Sequence, residues 1–69
     1  MSETLQIERD GRTPIRTVEL VYSPDDGGYY LEDWDMKNER RRLSRGIIAS
    51  RETIIAKWRG GALKWEKWN

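Results

Sequence analysis

The clearest alternation of apolar and polar positions runs from Thr17 to Ser23, where Val18, Leu20 and Tyr22 interleave with Thr17, Glu19 and Val21. That period of two predicts a β-strand. It enters Pro24-Asp25-Asp26-Gly27-Gly28, a turn signal in which Pro fixes φ, the aspartates bond their own backbone and Gly accepts a positive φ. Gly28–Asp35, rich in Tyr and Trp, reads as the returning strand of a hairpin. A three-residue Asp26-Gly27-Gly28 loop with a bulge would set Leu20 opposite Trp34 and Tyr22 opposite Glu32. Val18, Leu20, Tyr22, Tyr30 and Trp34 would then share the core face. A two-residue loop would pair Leu20 with Asp33 and Val18 with Asp35, so the bulged loop is the expected one.

Met36-Lys37-Asn38-Glu39 offers a second turn, and Arg40–Ala49 a third strand. A two-residue turn at Lys37-Asn38 would place Asp35 opposite Arg40, Asp33 opposite Arg42, Trp34 opposite Arg41 and Tyr30 opposite Arg45. A helix through Met36–Ser44 competes, because Lys, Glu, Arg and Leu favour helices. The strand is preferred, since the apolar residues there are too few to anchor a helical face. Ser50 reads as the N-cap of a short helix that carries Ile54, Ile55 and Trp58 on one side and stops at Gly60-Gly61. Ala62–Trp68 reads as a last strand, with Leu63 and Trp65 on one face and Trp68 on the other. Residues 1–15 are expected to form either a flexible arm or an edge strand, with Pro14 restricting them to an edge or a loop. The expected fold is therefore a single α+β domain spanning residues 1–69. It comprises a small antiparallel sheet of three to four strands with one short helix on one face, in the order (β)-β-β-β-α-β.

Composition narrows the chemistry. The 69 residues hold neither Cys nor His, so no disulfide, thiolate nucleophile or zinc site is expected. No apolar run is long enough to span a membrane and no leader pattern opens the chain, which leads to the expectation of a soluble, cytoplasmic protein. Asp25/Asp26 and Asp33/Asp35 are the paired carboxylates. A turn and a solvated strand face would leave both pairs in water, without the pKa tuning that acid–base catalysis needs. Gly27-Gly28 and Gly60-Gly61 lead into no phosphate-cradling loop. No catalytic residue, metal, cofactor or small-molecule substrate is expected, and the chain reads as a non-enzyme.

Charge changes the picture more than composition does. The 13 Lys and Arg nearly balance the 12 Asp and Glu, yet residues 17–36 sum to −6 and residues 37–69 to +7. The two halves could pair internally, or serve two partners. On the expected register Val21, Tyr29, Leu31 and Ile48 lie on the outer sheet face beside Asp33, Asp35, Arg40 and Arg42. An apolar spot rimmed by charge has the anatomy of a protein interface, unless residues 4–15 fold over it through Leu5, Ile7 and Ile15. Trp68, turned away from Leu63 and Trp65, would either anchor such an interface or fold back on the sheet. The first functional reading is thus a small module that binds a protein partner, or itself, through Val21, Tyr29, Leu31, Arg40, Arg42 and Trp68. The alternative is nucleic-acid binding through Arg40, Arg41, Arg42, Arg45, Lys64 and Lys67. Against that alternative, cross-strand pairing with Asp33 and Asp35 and stacking on Trp34 and Tyr30 would neutralise the Arg run.

Val21–Tyr30, with Asp25-Asp26-Gly27-Gly28-Tyr29-Tyr30, resembles the first hairpin of HicB-like antitoxins. The resemblance implies a β-β-β-α-β core and is confined to that hairpin. The proline-rich segment that follows the second strand in that family is replaced here by Glu32-Asp33-Trp34-Asp35, and no ribbon-helix-helix or helix-turn-helix pattern is expected in residues 60–69.

Overall fold

A computed structural model describes residues 2–69. Strands β1 (Ser2–Asp10), β2 (Thr13–Ser23), β3 (Gly28–Asp35) and β4 (Arg40–Leu43) form a four-stranded sheet in the order β1-β2-β3-β4, followed by helix α1 (Arg51–Arg59). All three strand pairings are antiparallel. The domain is therefore the expected α+β type, with the N-terminal residues forming an edge strand.

The β2–β3 register differs from the expected one. Ser23 stands opposite Gly28, Tyr22 opposite Tyr29 and Leu20 opposite Leu31. The loop is Pro24–Gly27, closed by the Gly27 N–H donating to the Ser23 carbonyl at 2.9 Å, with Gly27 at φ +67°. Two physical reasons favour this loop. It removes Pro24, which has no N–H to give, from the ladder, and it brings Leu20 against Leu31 rather than against Trp34. The change amounts to three residues, an odd number, so every β3 side chain exchanges faces relative to the expectation. Tyr29, Leu31 and Asp33 consequently point to the helix side, and Tyr30, Glu32 and Trp34 to the other.

The core is small. Val18, Leu20, Leu31 and Ile54 are buried, with Leu5, Tyr29, Ile48, Ile55, Trp58, Leu63 and Trp65 packed around them. Helix α1 begins as expected at Ser50, whose hydroxyl accepts from the Thr53 N–H, and it ends at Gly60-Gly61. Nine residues are too few to hold a helix in water, so Ile54 and its neighbours supply the stability by closing over β3.

Past Leu43 the chain departs from the expected long third strand. Ser44 is buried, and its Oγ accepts from the Leu31 N–H at 2.8 Å. The strand then gives way to a Tyr29–Ile48 bridge, so Tyr30 does not face Arg45. Gly28 permits this close approach: a Cβ there would lie 2.8 Å from the Ile48 carbonyl oxygen. The C-terminal segment runs extended along the far edge of β4 instead of forming a full strand. It is tied by a Ser44–Trp65 bridge, by Glu66 N–H donating to Leu43 O (2.7 Å) and by Asn69 N–H donating to Arg41 O (3.1 Å). At the opposite edge β1 is irregular, with register shifts between Thr4 and Gln6 and between Glu8 and Arg9; the second shift accommodates Pro14. Among the described residues no helix is long and apolar enough to cross a membrane.

Candidate interaction surfaces

The six residues expected to form one protein-binding patch are distributed over the core and both faces of the sheet. Leu31 is fully buried under the helix and Tyr29 packs beside it, because of the register change. Val21 remains on the outer face. Arg40, Arg42 and Trp68 are brought together, but on the helix side. The acidic β3 and basic β4 pair as expected: Asp35 faces Arg40, Trp34 faces Arg41 and Asp33 faces Arg42.

The helix-side cluster is built around Asp33, which is only 1% exposed rather than solvated as expected. Its Oδ1 accepts from Arg16 Nε at 2.9 Å. Its Oδ2 accepts from Arg16 NH2 at 2.7 Å and from Arg42 Nε at 3.0 Å. The bond to Asp33 raises the Arg16 pKa above its ordinary value. Two guanidiniums thus satisfy a carboxylate that would be costly to bury alone. The tail closes over them. The Trp68 ring centroid lies 4.5 Å from the guanidinium carbon of Arg42, 4.8 Å from that of Arg40 and 5.8 Å from that of Arg16. Trp65 approaches Arg42 at 4.6 Å. Trp68 has folded back and engages the cations through its π face.

The residues of the nucleic-acid alternative are largely engaged within the chain. Arg41 donates to Glu32 at 2.6 Å and lies over Trp34, Arg40 pairs with Asp35 at 3.3 Å, and Arg45 with Glu66 at 3.6 Å. Lys64 and Lys67 sit exposed on the tail. Asp35 also accepts from the Asn38 side chain and backbone N–H, which lowers its pKa.

The outer face is covered by no element among the described residues. Two shallow hollows mark it, one lined by Tyr30, Leu43, Gly46 and Ile47, the other by Thr4, Thr17, Glu19, Trp34 and Met36. Ile7, Met36 and Ile47 are each more than 40% exposed. Between the two apolar ends lies a polar row in which Glu19 stands directly opposite Glu32. Thr4 Oγ1 donates to Glu19 at 2.7 Å, and Arg41 to Glu32. Sequence reasoning placed Tyr30, Glu32 and Trp34 on the core face, whereas Glu19 lies on the outer face as its alternation with Leu20 implied. The alternation Tyr22–Leu20 against Tyr29–Leu31 was the available signal, since it matches like with like across the hairpin.

Searches against protein-family models, curated proteins and solved structures return no match for the chain.

Proposed function

We propose that this protein is a non-enzymatic interaction module whose outer sheet face receives a protein partner. The observation that carries this reading is the uncovered apolar surface of Val21, Tyr30, Trp34, Met36, Leu43 and Ile47, while the one helix among the described residues packs on the opposite side. Apolar side chains around a charged row match the composition of protein interfaces better than that of a solvated face. The free β1 edge is a weaker candidate: its two register shifts and its charged side chains are the devices that discourage edge pairing. The arginines of the nucleic-acid alternative already hold acidic partners, so phosphate would have to displace them.

A photo-crosslinking amino acid placed at Met36 or Ile47 tests the reading in cells that express the protein natively. Discrete protein adducts are expected from both positions, and none from Lys57 on the exposed side of α1. Adducts of equal yield at all three positions, or none at Met36 and Ile47, would reject the outer face as the interface.

A further inference from the structure

Resting on that reading of the outer face, we infer that its partner is a basic amphipathic helix and not a second copy of this chain. The argument begins with the Glu19–Glu32 pair. Directly opposed side chains in an antiparallel pair have Cβ atoms about 4.5–5.5 Å apart, and like charges at that spacing repel. Within the chain Glu19 accepts from the Thr4 hydroxyl alone, and Glu32 accepts from Arg41 at 2.6 Å and, weakly, from the Trp34 indole N–H at 3.5 Å. The row therefore carries two carboxylates against one guanidinium, and it crosses the middle of an otherwise apolar surface.

Charge placement excludes the symmetric alternative. Two copies meeting face to face around a two-fold axis would stack their sheets about 10 Å apart. An axis near the middle of the face would set Glu19 and Glu32 of one copy against the same residues of the other. Four carboxylates and two guanidiniums would then share a desolvated space, which costs more than the apolar contacts at its ends return. A helix is the natural complement, because one face of it can carry apolar residues to both ends of the surface and a cation between them, over the carboxylate row.

The spacing on the sheet specifies that helix further. Val21 and Thr17 lie four residues apart along β2, roughly 13 Å at the usual strand rise, and Glu19 is midway between them. A helix lying along β2 covers that distance in about nine residues, and the positions on one helix face nearest to it are eight apart, with another midway. The predicted partner therefore carries apolar residues about eight apart, for the Tyr30–Ile47 and Trp34–Met36 ends, with Lys or Arg four residues from each. Charge-assisted bonds from that cation to Glu19 and Glu32 would fix its register.

The test uses the full chain and three probes. Two are helical peptides of about 14 residues with the same leucine stripe, one carrying Lys and the other Glu at the central position; the third is a single-stranded oligonucleotide. Binding is followed by fluorescence, with Trp34→Phe identifying the signal from this face. The Lys peptide is expected to bind. Its affinity should fall about tenfold in Glu19→Gln and further in Glu19→Lys, while circular dichroism shows the fold unchanged. Sedimentation should show a monomer. Equal binding of the Glu peptide, insensitivity to Glu19→Gln, binding of the oligonucleotide at this face, or a dimer abolished by Trp34→Ala would each overturn the inference. Failure of both peptides would overturn it too. In that case, adducts from Met36 and Ile47 would still uphold the outer face as an interface, so the two ideas fail separately.

Discussion

Asp33 receives two hydrogen bonds from the guanidinium of Arg16, reached across seventeen residues of sequence and the β2–β3 pairing. Arg42 supplies a third from β4. The three strands are thereby joined at one buried carboxylate. Replacing both arginines (Arg16→Met with Arg42→Met) strands that charge, and unfolding in urea should show a loss of about 3–5 kcal/mol. Adding Asp33→Leu to the same variant should restore most of the loss, because the penalty lies in the unpaired charge. If the triple variant is no more stable than the double, the charge is not what the arginines compensate.

Trp68 is predicted to act as a structural clamp. Trp68→Ala removes the ring from Arg16, Arg40 and Arg42 and should cost about 1–2 kcal/mol, at the upper end for cation–π contacts because one ring serves three cations. Trp68→Phe should retain part of it, as the smaller ring has a weaker quadrupole. Denaturation midpoints of the two variants, compared with the parent protein, decide the matter.

Leu31 separates the two registers of the hairpin. Because it is fully buried opposite Leu20, Leu31→Ala should destabilise the fold by about 2–5 kcal/mol, and Leu31→Asp should unfold it. Trp34→Ala, on the open face, should cost much less. A stable Leu31→Asp protein would support the register with Leu31 outside.

Gly28 is needed for space and Gly27 for its backbone angle. Gly28→Ala would bring a methyl against the Ile48 carbonyl beside the Tyr29–Ile48 bridge, and overpacking of this kind costs about 1–3 kcal/mol. Amide exchange should quicken at Tyr29 and Ile48 in that variant. In Gly27→Ala, with open space around a φ of +67°, the disturbance should stay within the loop.

The β3–β4 turn should weaken in acid. Asn38 and Arg40 hold the Asp35 pKa below its ordinary value in the folded chain. The stability gained is therefore present above the unfolded pKa of about 3.9 and is lost as pH falls through the lower folded value. Glu52, lowered by its own backbone N–H and by Ser50 at the helix start, acts in the same direction. Asn38→Ala should flatten the pH dependence of stability below about pH 4. An unchanged profile would mean that the Asx turn contributes nothing to it.

Local signals in the sequence determined much of this protein. Ser50 and Gly60-Gly61 bounded the helix, because capping and chain reversal depend on a few adjacent residues. The complementary pairs Asp33–Arg42, Trp34–Arg41 and Asp35–Arg40 set the β3–β4 register, although the connection, Met36–Glu39, is longer than the two-residue turn expected. Tertiary structure decided the rest. The β2–β3 loop admits several lengths that differ little in local energy, and an odd shift between them exchanges the two faces of β3. Only the competition of all side chains for one small core placed Leu31 inside and Trp34 outside. The same holds for Trp68: nothing adjacent to it in sequence marks the site where Arg16, Arg40 and Arg42 converge, because three strands must first pair to create it.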